Sequence, residues 1–113
     1  MIIENFAPDM LADEIKYFLC GDSIAWFYNP SVGYMKEEAG FQFTHTFFQD
    51  GRQTSDAFRL VKPLLYIAEM RTGQKIKGIH RIKANLRVPS NIPDSKEEIH
   101  QDKVQDNYKT LLY

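Results

Sequence analysis

Near the C-terminal end of this 113-residue chain, His100 and Asp102 stand one residue apart, in Ile99-His100-Gln101-Asp102. In an extended segment, residues i and i+2 project to the same face, so an imidazole and a carboxylate would converge on one point. Two neighbouring ligands of a six-coordinate metal need that convergence. The chemistry such a pair suits is that of ferrous iron held by two His and one carboxylate, with the remaining positions open. Read alone, the tripeptide is first of all two exposed polar residues in a charged loop, since His-x-Asp arises often by chance. The other two histidines carry blander readings. His45 shares the Phe face of its strand and reads as a hydrogen-bonded core or semi-buried residue rather than a ligand, and His80 reads as surface polar.

The elements that must position these residues are set by spacing. Leu11, Ile15, Phe18 and Leu19 recur at helical intervals after Pro8 and Asp9, a pairing suited to a helix start, and Gly21 is a plausible stop. Ile24 to Tyr28 is aromatic and strand-like, with Trp26, Phe27 and Tyr28 read as core packing. Residues 31–40 read as a surface loop. Phe41 to Phe48 alternates, with Phe41, Phe43, His45 and Phe47 on one face and Gln42, Thr44 and Thr46 on the other. Asp50-Gly51 signals a turn. A second helix is expected from about Ser55, its N-cap, to Arg71, with Ala57, Val61, Leu64, Leu65 and Ala68 as its stripe, a kink or break at Pro63 and an end at Gly73.

From Ile76 the period becomes two. Ile82, Ala84, Leu86 and Val88 point one way; Arg81, Lys83, Asn85 and Arg87 point the other. Pro89 to Pro93 interrupts the run, an acidic stretch from Asp94 to Glu98 comes next, and the chain closes on the β-prone Tyr108 to Tyr113. Helices concentrated early and strands late predict an α+β or mainly-β domain, with helices packed on one side.

Bulk composition narrows the classes. One domain fits the length. With 14 Lys+Arg against 15 Asp+Glu, the net charge of −1 gives no general pull toward nucleic acid or anionic lipid. No apolar run approaches the ~20 residues that span a bilayer. The single Cys20 excludes an intramolecular disulfide, fits a reducing compartment and reads as a buried small hydrophobe. Phosphate loops, paired-Cys zinc sites and Ser nucleophile elbows are absent as motifs. The basic face Arg81/Lys83/Arg87 reads first as solvated surface, then as a receiver of an anionic co-substrate, and last as a nucleic-acid contact, since no interleaved aromatics are there to stack bases.

Taken in order, Arg81-Ile82-Lys83-Ala84-Asn85-Leu86, a Pro-containing loop, Ile99-His100-Gln101-Asp102 and Tyr108-Lys109-Thr110-Leu111-Leu112-Tyr113 resemble the 2-oxoglutarate/Fe(II)-dependent oxygenases. The branch is the prolyl-4-hydroxylase-like group of phages and bacteria. Met1-Ile2-Ile3-Glu4-Asn5-Phe6 and Phe41-Gln42-Phe43-Thr44-His45 look like the same branch, so the resemblance runs along nearly the whole chain.

The resemblance implies a double-stranded β-helix (jelly-roll) with helices on one side, residues 1–75 forming the helical support and residues 76–113 the first core strands. It implies Fe(II) bound by His100 and Asp102 together with a later His. It implies 2-oxoglutarate bound near Asn85, Lys83 and Tyr113, Asn85 ahead of Lys83, although a second Tyr usually comes directly after the position of Tyr113. The implied reaction is hydroxylation of an unactivated C–H bond, foremost in a peptidyl-proline, with succinate and carbon dioxide as co-products and ascorbate as an accessory reductant. A protein or peptide substrate and a cytoplasmic setting, the host cytoplasm for a phage protein, go with it. The family's second His and its co-substrate Arg come several strands later than Tyr113. The sequence is therefore expected to be the N-terminal portion of such a domain, with C-terminal strands missing and little activity alone. A non-catalytic binding or structural module that keeps part of the fold is the alternative.

Overall fold

A computed structural model describes residues 1–30, 41–89 and 109–113. Helix α1 (Asp9–Leu19) starts behind Pro8, whose extended backbone and carbonyl, accepting from Ala12 N–H at 3.0 Å, open the first turn. Its apolar stripe places Ile15 in the core, flanked by Leu11, Phe18 and Leu19. The last turn closes through Cys20 N–H to the Lys16 carbonyl and Gly21 N–H to the Phe18 carbonyl.

Beyond the helix, four antiparallel strands among the described residues form one sheet centred on β2 (Gln42–Gln49). Strand β1 (Phe27–Asn29) lies along the first half of one edge of β2, with Tyr28 opposite Phe43. Strand β3 (Arg52–Gln53) returns along the second half of that edge through a tight hairpin. Asp50 and Gly51 both have positive φ, 48° and 82°, as a two-residue hairpin turn with the right twist requires. Strand β4 (Arg81–Leu86) covers the opposite edge, from Phe43 facing Leu86 to Gln49 facing Arg81.

Between Thr46 and Phe48 the β2–β4 register slips: Thr46 faces Lys83 while Phe48 faces Ile82, leaving Phe47 as the extra residue of a β-bulge. The carbonyls at the slip find their partners on the other side, where Thr54 N–H donates to the Phe47 carbonyl at 3.0 Å and Thr54 Oγ1 donates to the Thr46 carbonyl at 2.7 Å.

The second helical segment divides at the proline. Helix α2 (Phe58–Val61) and helix α3 (Pro63–Thr72) meet at Lys62, whose own backbone stays helical. Pro63 has no N–H for the preceding turn, so the hydrogen-bond ladder breaks there without the chain changing direction entirely. Gly73 terminates α3 with φ 70°, donating its N–H to the Glu69 carbonyl.

Ile15, Phe47, Phe58, Val61 and Leu64 form the core, and Phe48, Ile82 and Ala84 complete the sheet side of it. The described helices therefore cover one face of the sheet. Arg71 ties the N-terminal segment to α3 by donating to the carbonyls of Asn5 and Glu4 at 3.0 and 3.1 Å.

The mixed helix-and-antiparallel-sheet class expected from the sequence is present; a jelly-roll is not seen among the described residues. Several local expectations are corrected. The strand expected at Ile24 to Tyr28 begins only at Phe27, and of the aromatic run Trp26 is half-buried while Phe27 and Tyr28 are not core, at 64% and 63% exposed. The period-two run from Ile76 becomes a strand only at Arg81, and Leu86 and Val88 are each 40% exposed rather than core. Cys20 is exposed, because the helix ends one residue before it, at Leu19. Among the described residues no helix is long and apolar enough to cross a membrane.

Candidate functional site

Strand β4 positions the residues expected to receive the co-substrate. Its alternation sends Ile82 and Ala84 into the helical core, so Lys83 and Asn85 project from the opposite face. Lys83 pairs with Thr46 and Asn85 with Thr44, which places an ammonium, a carboxamide and two hydroxyls side by side on one pleated surface. Successive same-face positions on a strand lie about 7 Å apart, close enough for one small dicarboxylate to reach both. Lys83 is half-buried and Asn85 exposed, an arrangement in which the charge is partly shielded and the amide remains approachable. These are donor groups fit for a carboxylate.

His100 and Asp102, the expected iron ligands, lie outside the described residues, as does the acidic stretch before them. Among the described residues no three His, Cys, Asp or Glu side chains come together in a way that would hold a metal. His80 meets Asp50 at 3.4 Å beside the hairpin turn, where Asp50 N–H also donates to the His80 carbonyl.

Tyr113 is placed apart from the β4 pair. Its ring sits 6.1 Å from that of Phe6, and Lys109 donates to Gln74 Oε1 at 2.9 Å, so the last residues run beside the N-terminal segment and the end of α3. Phe6 packs against the helical core, on the face of the sheet opposite Lys83 and Asn85. The structure thus brings Lys83 and Asn85 together and leaves Tyr113 on the other side. A shallow groove of about 530 Å³ also opens next to Phe6, between the N-terminal segment and α3, with Arg71 at its edge.

Among the described residues, the most fully built polar cluster centres on His45. The residue is only 8% exposed, and both ring nitrogens are engaged: Nδ1 with the Ala25 carbonyl at 2.7 Å and Nε2 with Ser55 Oγ at 2.7 Å. A carbonyl can only accept, so Nδ1 carries the proton of the neutral ring and Ser55 O–H donates to Nε2. Ser55 Oγ in turn accepts Ala57 N–H at 3.1 Å. The ring packs edge-on to Phe47 and Phe18, with centroids at 4.8 and 6.2 Å. His45 is therefore the satisfied core histidine expected from its strand face.

No motif announces its pairing with Ser55, which reads in the sequence only as a helix cap. A signal does exist in the hairpin. Folding the chain back at Asp50-Gly51 sets Gln49 opposite Arg52 and Phe48 opposite Gln53, and continuing the count brings the neighbourhood of residue 45 to that of residue 55.

Against this geometry, no protein-family model, no curated protein and no solved structure matches the chain.

Proposed function

We propose that this chain contributes to a 2-oxoglutarate- and Fe(II)-dependent dioxygenase that hydroxylates an unactivated C–H bond, foremost that of a proline in a protein or peptide. The observation that carries the reading is the orientation of β4. Lys83 and Asn85 stand together on the sheet face turned away from the helices, the face that would line the interior of a barrel whose other wall is a second sheet. A half-buried ammonium beside an amide suits the distal carboxylate of 2-oxoglutarate. His100 and Asp102 are the residues that would hold iron, in the spacing of two adjacent ligands. Bound iron and 2-oxoglutarate would supply dioxygen activation, with succinate and carbon dioxide as co-products. The setting proposed is the cytoplasm.

The test is metal and co-substrate binding in a polypeptide that carries this segment together with a downstream His and Arg. His100→Ala and Asp102→Ala should each abolish Fe(II) binding and the 2-oxoglutarate-dependent formation of succinate. Unchanged iron affinity in either variant removes that residue from the site. Retention of fold with no metal binding by the parent polypeptide would assign the chain to a non-catalytic module instead.

A further inference from the structure

We propose that Ser55 is a nucleophile activated by His45, able to take an acyl group from small activated acyl donors. The arrangement has the parts such a reaction needs: a hydroxyl, a base within hydrogen-bond reach, and a third group that orients the base. Ser55 Oγ lies 2.7 Å from His45 Nε2, and the Ala25 carbonyl, 2.7 Å from Nδ1, holds the ring in the tautomer whose Nε2 accepts a proton. The imidazole is clamped by Phe47 and Phe18 and is almost wholly buried, so it cannot swing away.

Ser55 itself is half-buried and lies between the exposed Thr54 and Asp56, at the point where the interior meets the surface. Ala57 N–H donates to its Oγ at 3.1 Å, which fixes the hydroxyl oxygen in place while its proton points to His45 Nε2. The pair lies on the helical side of the sheet, away from Lys83 and Asn85, and needs neither iron nor 2-oxoglutarate.

With p-nitrophenyl acetate as donor, Ser55 Oγ forms the new bond to the acetyl carbon. The hydroxyl proton passes to His45 Nε2, and the ester C–O electron pair leaves with p-nitrophenolate. Loss of the imidazolium proton to solvent restores the base. The acetyl group then stays on Oγ until water adds to its carbonyl and breaks the acyl C–Oγ bond, giving acetate and free Ser55.

The experiment incubates the chain with p-nitrophenyl acetate and, separately, with a fluorophosphonate, and maps adducts by peptide mass spectrometry. The expected result is modification at Ser55, lost in Ser55→Ala and slowed about a hundredfold in His45→Gln, the lower range for removal of a general base. Far-UV circular dichroism confirms that each variant is folded. Should His45→Gln not fold, Ser55→Cys in a Cys20→Ala background replaces it. Its alkylation by iodoacetamide should then outpace that of exposed Cys20 in the otherwise unchanged chain. Adducts confined to surface lysines and tyrosines, labelling of Ser55 at an equal rate without His45, or a Cys at position 55 alkylated no faster than Cys20 would each overturn the assignment.

Discussion

Phe47 and Phe48 are neighbours in sequence, yet both feed the same core: Phe47 is 2% exposed, and the Phe48 ring lies 5.3 Å from that of Phe58. A regular strand forbids this, since adjacent side chains leave on opposite faces. The register slip between Thr46 and Phe48 permits it, and Thr54 holds the slip by bonding both the Thr46 and Phe47 carbonyls. Phe47→Ala should cost about 3–5 kcal/mol, the range for a fully buried Phe. Phe48→Ala should cost less because the ring is only partly covered. Thr54→Val should cost about 1 kcal/mol through the lost bond to the Thr46 carbonyl. Urea denaturation of the three variants checks the order, and a Phe48 variant less stable than the Phe47 variant would contradict it.

His45 and Ser55 join β2 to the start of the second helical segment through a single hydrogen bond. Truncating either one strands the other's polar atom, which costs about 1–3 kcal/mol when the site stays dry. A double-mutant cycle of Ser55→Ala and His45→Gln should therefore show favourable coupling, on the order of 0.5–3 kcal/mol. Additive effects would mean that the contact contributes nothing in solution. Equilibrium unfolding of the four proteins gives the number.

Among the described residues, Lys83 and Asn85 are the proposed site residues that the fold places side by side. In a polypeptide competent to bind 2-oxoglutarate, Lys83→Ala should weaken that binding about tenfold to a hundredfold, the equivalent of losing one charge-assisted hydrogen bond worth roughly 1.5–3 kcal/mol. Asn85→Ala should weaken it as well. Leu86→Ala, on the opposite face of the same strand, should leave it unchanged. Calorimetric titration measures all three, and equal affinity across the set would move the co-substrate elsewhere.

Much of this architecture is legible in the sequence because it rests on local chemistry. The stripe of Leu11, Ile15 and Phe18, the interruption at Pro63, the stop at Gly73 and the alternation from Arg81 to Leu86 each depend on residues close in sequence. The features that escape it depend on distant partners. Trp26-Phe27-Tyr28 has the composition of a core strand, but Phe27 and Tyr28 lie outside the helical core, and Tyr28 meets the rings of Phe41 and Phe43 at tilted and edge-on angles while staying exposed. The bulge at Phe47 is invisible to a period-two reading, since a register slip belongs to a strand pair and not to one strand. Tyr113 lies against Phe6, at the far end of the chain, a contact no motif encodes. For the proposed site, the shared face of Lys83 and Asn85 is readable from alternation alone. His100 and Asp102 lie outside the described residues.

The Asp50-Gly51 turn governs whether the His45–Ser55 pair can form, because it sets how the chain after it folds back on β2. Both turn residues occupy the left-handed region, which glycine adopts freely and Asp or Asn tolerates. Gly51→Ala should destabilise the chain by about 1–2 kcal/mol, even though a methyl group there would meet nothing within 4 Å, since the penalty is conformational. Asp50→Asn should preserve the turn, and it separates backbone conformation from the contact with His80. If the turn acts through register, Gly51→Ala should also slow acylation at Ser55 more than its loss of stability accounts for, whereas Asp50→Asn should not. Thermal unfolding and adduct mapping on the two variants give both readouts. A Gly51→Ala chain as stable as the parent would show that the hairpin adopts another turn.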